Sequence, residues 1–169
     1  MVEMVMKKVL VVLALSLSGI ATVTPAAASL VGNAAACARG DSAVLVRVGG
    51  FKAQRGVLRV QVYGSNPADF LARGKKLRRV DVPVSGSRLD VCVDLPGPGN
   101  YAVAVRHDAD GNGRSGWNDG GGFSRNPHIS LTHLRPSFRD VVIQVGRGVR
   151  PIDVTLNYRR GLSIGPVNG

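Results

Sequence analysis

The chain has 169 residues, a formal net charge of +11 and 44% hydrophobic residues, few of them aromatic. That apolar share excludes a disordered polyelectrolyte, and the length fits one domain rather than two. The 22 Gly and 9 Pro argue against a helical bundle and for many short elements joined by turns.

At the N-terminus Lys7 and Lys8 precede an apolar run from Val9 to Leu17, and Ala26, Ala27, Ala28 and Ser29 come after it. A basic start, a short apolar stretch and an Ala-x-Ala site predict a signal peptide over residues 1–28, cleaved after Ala28. The run is short for a membrane span and is broken by Ser16, Ser18 and Gly19. A second small-residue site, Ala34 to Ala36 before Cys37, resembles a degenerate lipoprotein box but lies far from the apolar run. The expected location is periplasmic or secreted.

Export places Cys37 and Cys92 in an oxidising space, where an even pair reads as a disulfide. In the strand at 89–95, Leu89, Val91, Val93 and Leu95 share one face; Cys92 shares the other with Asp90 and Asp94. A Cys37–Cys92 bridge therefore tethers the N-terminal segment, residues 29–42, across the outside of a sheet. Without a C-x-x-C motif it reads as structural.

Period-two alternation dominates the chain from residue 43 onward. It marks Val44, Val46 and Val48, then Leu58, Val60 and Val62, then Val80, Val82 and Val84, where Pro83 suggests an edge strand. Between the second and third runs, residues 66–74 predict one or two helical turns, capped by Asn66, opened by Pro67 and closed by Gly74. The strand at 89–95 leads to Tyr101, Val103 and Val105. Val141, Ile143 and Val145 come next, and then Ile152, Val154, Leu156 and Tyr158. About seven strands with one short inserted helix predict an all-β fold, an antiparallel β-sandwich of immunoglobulin-like or transthyretin-like type over residues 43–160. A closed barrel fits less well with the irregular strand spacing and the long loop at 108–136. Residues 161–169 read as a flexible tail.

The chemically informative segment is the stretch from His107 to Asp119. Against the calcium-loop template Asp108, Asp110 and Asn112 take the first, third and fifth positions, and Gly113 supplies the sharp turn at the sixth. Arg114 would offer its backbone carbonyl, and Asp119 closes the loop at the twelfth position. Such a loop gathers several hard oxygens around one point, which Ca²⁺ needs. Gly116 leaves one position to water, and residues 101–106 read as a strand, so this is an EF-hand-like loop between strands. The plainer reading is a tight turn, which Asp, Asn and Gly also build.

After it, residues 120–127 read either as a mobile recognition loop or as packing. In the first case Trp117 and Phe123 are anchors and Arg125 is an anion contact; in the second an aromatic ring is tucked over the end of the sheets. Packing is favoured, because large aromatics are usually buried. Ser124 with His107 or His128 lacks a Gly-x-Ser-x-Gly elbow, and His128 and His133 fall on opposite faces of an extended chain. The expectation is no catalytic residue and no enzyme.

The densest basic cluster is Arg73, Lys75, Lys76, Arg78 and Arg79. In an exported protein its anionic partner would be envelope glycan or lipopolysaccharide rather than nucleic acid. The plainer reading is a solvated surface.

Three stretches resemble a known family. They are Gly99-Asn-Tyr-Ala-Val-Ala-Val-Arg-His-Asp-Ala-Asp-Gly-Asn-Gly113, Gly122-Phe-Ser-Arg-Asn-Pro127 and Ile152-Asp-Val-Thr-Leu-Asn-Tyr158. Together, over residues 43–158, they resemble the bacterial domain-of-unknown-function 2141 family. The resemblance implies an exported β-sandwich without a settled activity. Many members carry an acidic residue where Gly116 stands, and a Pro-x-Glu segment where this chain has Asn118 to Gly122. Both departures remove carboxylates near the loop.

Overall fold

The computed structural model describes residues 30–167, so the signal peptide expected at 1–28 lies outside the described residues. The chain begins with β1 (Leu30–Gly32), α1 (Ala34–Arg39), β2 (Ala43–Gly49) and β3 (Val57–Tyr63). A 3-10 turn (Pro67–Asp69) leads to β4 (Arg78–Pro83), β5 (Arg88–Asp94), β6 (Gly99–Asp108) and β7 (Gly120–Phe123). Then come α2 (Phe138–Val141), β8 (Ile143–Val145), β9 (Val149–Thr155), β10 (Asn157–Arg160) and β11 (Ser163–Gly165). The protein is thus mostly β.

Two sheets form. The smaller has the order β1-β5-β2-β9; the larger runs β11-β10-β7-β6-β3-β4, with β8 paired to the start of β6. The alternating residues turn one face of each sheet inward. Val44, Val46, Val91, Val93 and Ile152 from the smaller sheet meet Leu58, Val60, Val62, Val103 and Tyr158 from the larger in a single apolar core. Pro83 ends β4, which lies at the edge of the larger sheet, where its missing N–H costs no ladder bond.

On the opposite face of β5, Cys92 is bonded to Cys37 in α1, with Cα atoms 6.1 Å apart. Asn33 caps that helix by accepting the Ala36 N–H, and Ala36, Ala43 and Cys92 bury one another beneath it. The tether across the outside of the sheet is as the strand's two faces predicted.

Several features differ from the expectation. The smaller sheet is mixed, because β2 pairs in parallel with β9 and β5 with β1. Parallel neighbours need a long crossover, and residues 50–148 supply one between β2 and β9. The final strand is two: Leu156 carries the chain from β9 in the smaller sheet to β10 in the larger. Val141 ends α2 instead of opening a strand. The helix expected at 66–74 is only the 3-10 turn, capped by Asn66 as predicted. It stops because Phe70 is extended and Leu71 turns left-handed at φ 58°; both side chains pack against the cluster of Tyr63, Ala102, Ala104 and Val141. Within the stretch read as a tail, β11 pairs antiparallel with β10.

Candidate metal centre and the adjoining cavity

Strand β6 ends at Asp108 and β7 begins at Gly120, and the two are antiparallel neighbours with His107 opposite Gly120. The loop between them is therefore held at both ends by one ladder. It folds around the Asp108 carboxylate, which is only 3% exposed. One oxygen accepts the Asn112 N–H at 3.1 Å and the other the Gly113 N–H at 2.8 Å. Gly113 adopts φ 78°, a left-handed turn that a side chain at this position would strain.

The remaining acids close the loop. Asp110 accepts from the Asn112 backbone and side-chain amides, and Asn112 Oδ1 accepts the Arg114 N–H at 2.7 Å. Asp119 accepts from Ala109 at 3.2 Å and from Gly116 at 2.9 Å. Asp108, Asp110 and Asp119 each present one oxygen, all within 4.8 Å of one another. Three carboxylates so close repel, and a hard cation among them would remove that repulsion. Of the five expected ligands the structure thus brings three carboxylates together, with Asn112 bonded to Asp108 and Asp110 and Arg114 to Asn112.

Burial pushes the Asp108 carboxyl up. The Gly113 N–H, the Arg106 charge and the Asn112 N–H are among the contacts that outweigh it and hold the group below the usual carboxylate range.

Arg106 is the residue that the sequence reading missed. Its guanidinium donates to Ser115 Oγ at 3.0 Å, the Gly113 carbonyl at 3.2 Å and Asp108 at 3.3 Å, clasping the loop from the strand side. The signal was present, because Arg106 and Asp108 are two apart and project from the same face of a strand.

The far end of the loop forms one wall of a cavity of about 340 Å³. Ser115, Gly116, Trp117 and Asp119 face Phe123, Ile129, Leu131 and Leu134 across it. Trp117 is 71% exposed, and the Arg159 guanidinium lies 3.4 Å above its ring, a cation–π stack. Phe123 is half-buried against Phe70. Of the two rings, either of which could be the one tucked in, it is Phe123 that packs.

The glycines at 120–122, read as part of a loop, form β7. A Cβ on Gly120 would sit 2.5 Å from the Tyr158 ring, and one on Gly122 would sit 2.8 Å from the Thr155 carbonyl. Glycine is therefore needed here for close packing between elements. Arg125 donates to the Arg139 carbonyl, and the Asn126 side chain bonds to the backbone of Asp153 and Thr155 along β9.

The nucleophile and base candidates are engaged in the framework. His107 is fully buried, with Nδ1 2.6 Å from the Tyr158 hydroxyl and Nε2 2.8 Å from the Arg55 carbonyl. Burial pushes the Tyr158 phenol up to about 12, so it stays protonated while accepting the Lys52 N–H. The Arg55 carbonyl can only accept, so Nε2 carries the hydrogen of that bond, and the Tyr158 hydroxyl ties Nδ1 to β10. Ser124 is buried as well; its hydroxyl donates to the Val141 carbonyl and accepts the Val103 N–H. His128 and His133 line a separate depression with Arg125, Arg139 and Asp140.

The basic cluster is divided. Arg78 pairs with Asp94 at 3.1 Å and Lys75 with Asp69 at 3.8 Å. Arg79 and Arg59 share Asp81; burial raises that carboxyl, but their hydrogen bonds outweigh it and hold it at about 2. Arg73 and Lys76 have no ion pair among the described residues. No helix among the described residues is long and apolar enough to cross a membrane.

A family described as an uncharacterized protein conserved in bacteria (DUF2141) matches residues 46–153. No curated protein and no solved structure matches the chain.

Proposed function

The chain belongs to the DUF2141 family of bacterial proteins, and we propose that it is a non-enzymatic, exported binding domain whose loop at 108–119 holds a calcium ion. The observation that carries this reading is the convergence of the Asp108, Asp110 and Asp119 oxygens within 4.8 Å. Asn112 and the Arg114 carbonyl complete the oxygen set. Calcium suits it better than magnesium, which demands near-ideal octahedral geometry and releases its water reluctantly.

The ion has a task in this fold. It would stiffen a loop whose far end, Ser115 to Asp119, walls the cavity under Trp117. That makes it a stabiliser of a binding surface; a sensor would need a two-state element to move. The buried, hydrogen-bonded His107 and Ser124 favour a binding role over a catalytic one. The Cys37–Cys92 bridge supports a periplasmic or secreted location, since such bonds persist in oxidising compartments. The core shared between the two sheets supports a β-sandwich of immunoglobulin-like or transthyretin-like type.

Calorimetric titration of the oxidised protein with CaCl₂ tests the reading. One site is expected, with a dissociation constant of roughly 0.1–1 mM, the range of extracellular calcium modules. Magnesium should bind more weakly, and Asp110→Ala and Asp119→Ala should each abolish the heat. Equal binding by wild type and both variants, or none by the wild type, would refute the site.

A further inference from the structure

Beyond the acidic loop, the larger sheet carries a groove of about 450 Å³ on its outward face. Its floor comes from residues that alternate with the core positions: Gln61 and Tyr63 on β3, Ala104 on β6 and Phe123 on β7, joined by Leu71 and Leu134, so that all but Gln61 are apolar or aromatic. Arg73, Lys76 and Arg135 stand at its rim together with Arg106, and no Asp or Glu lines it. Arg106 is already committed to Asp108. The other three have neither an ion pair nor a side-chain hydrogen bond among the described residues. Of the basic cluster legible in the sequence, only Arg73 and Lys76 line this groove; Arg135, distant in sequence, joins them there.

An apolar floor beneath three uncompensated cations selects its occupant on two counts. A neutral hydrophobe would cover the cations without giving them a counter-charge, and a small hydrated anion would leave the floor open to water. Three cations also suit a dianion better than a single carboxylate, since a phosphate offers several acceptor oxygens to guanidinium and ammonium donors. We propose that this groove binds a lipid-like phosphate monoester. Its chain lies on Tyr63, Leu71, Phe123 and Leu134, and its phosphate meets Arg73, Lys76 and Arg135. The groove and the cavity beside the loop share Ser115, Phe123 and Leu134, so Trp117, the chain's single tryptophan, is a built-in reporter of occupancy.

The test is titration of the full mature protein with decyl phosphate below its micelle concentration, monitored by calorimetry and Trp117 fluorescence. Decanol and inorganic phosphate are the single-feature probes. Decyl phosphate is expected to bind at least about tenfold more tightly than either, because only it satisfies both floor and rim. Changing Arg73, Lys76 and Arg135 together to Gln should weaken it by about a hundredfold or more. Changing the exposed Arg55, Arg147 and Arg150 to Gln, an equal loss of charge elsewhere, should leave it within about twofold. Binding of decanol or inorganic phosphate as tight as that of decyl phosphate overturns the proposal. So does a rim variant that binds like the wild type. The same pattern is expected in calcium and in chelator, so loss of the calcium reading would leave this result standing.

Discussion

Two segments lie outside the shared core and are held in opposite ways. The N-terminal segment is fixed to the smaller sheet by the Cys37–Cys92 bond and by apolar contact among Ala36, Ala43 and Cys92. The loop at 108–119 hangs from the larger sheet by carboxylate-to-amide bonds and by Arg106, with most of its residues exposed. The first is a clamp whose groups are all spent on one another. In the second, three carboxylates crowd together, and an ion or a change of protonation can alter them. A rigid attachment and an adjustable one on the same scaffold show where function can reside: in the part whose polar groups still have something to gain.

The largest effect should come from removing the clamp. The bridge closes a loop of 55 residues, so replacing both Cys37 and Cys92 with Ser should cost about 4 kcal/mol in denaturant unfolding. Calcium binding by that variant, measured where it is still folded, should be unchanged. If affinity fell with the bridge, the two segments would be coupled and the comparison would break.

A smaller loss is expected from the junction between loop and core. Gly120→Ala places a methyl group against the Tyr158 ring and threatens the Tyr158–His107 bond. It should destabilise the fold by about 1–3 kcal/mol, the usual cost of overpacking, read as a lower urea midpoint. A neutral result would mean that β7 can move away from β10.

Within the loop, Asp108→Asn removes a charge that two backbone N–H groups and Arg106 satisfy, and should cost about 1–2 kcal/mol at neutral pH. The sign with pH is set by a folded value below the unfolded one. The Asp108 contribution is fully present above the unfolded carboxylate range and is lost as pH falls through the depressed folded value. The gap between wild type and Asp108→Asn should therefore close on acidification. A gap that stayed constant into strong acid would place the effect in packing instead of charge.

Much of the fold and the loop was legible in the sequence, for physical reasons. Alternation located the core strands because a half-buried strand must alternate, and it placed Cys92 on the outer face before any contact was known. Pro83 marked an edge. The Asp108–Asp119 register was visible because its groups are close in sequence. Features built from distant residues were not. The glycines of β7 read as a loop, since their need is set by Tyr158 and Thr155, more than thirty residues away. The basic cluster looked continuous because Asp94, which pairs with Arg78, lies on the next strand; Asp81, two residues after Arg79 in the same strand, was legible and overlooked. Arg135 could not be joined to Arg73 and Lys76 without the sheet between them.

The proposed calcium site is tested most directly by thermal unfolding of the mature, oxidised protein in calcium and in chelator, with Asp110→Ala alongside. Calcium at a hundred times its dissociation constant should add about 2.7 kcal/mol, on the order of 5–10 °C in midpoint for a domain of this size. That shift is expected for the wild type and should be absent in Asp110→Ala. No shift at millimolar calcium, or the same shift in both proteins, would contradict the metal site and leave the loop a turn held together by its own hydrogen bonds.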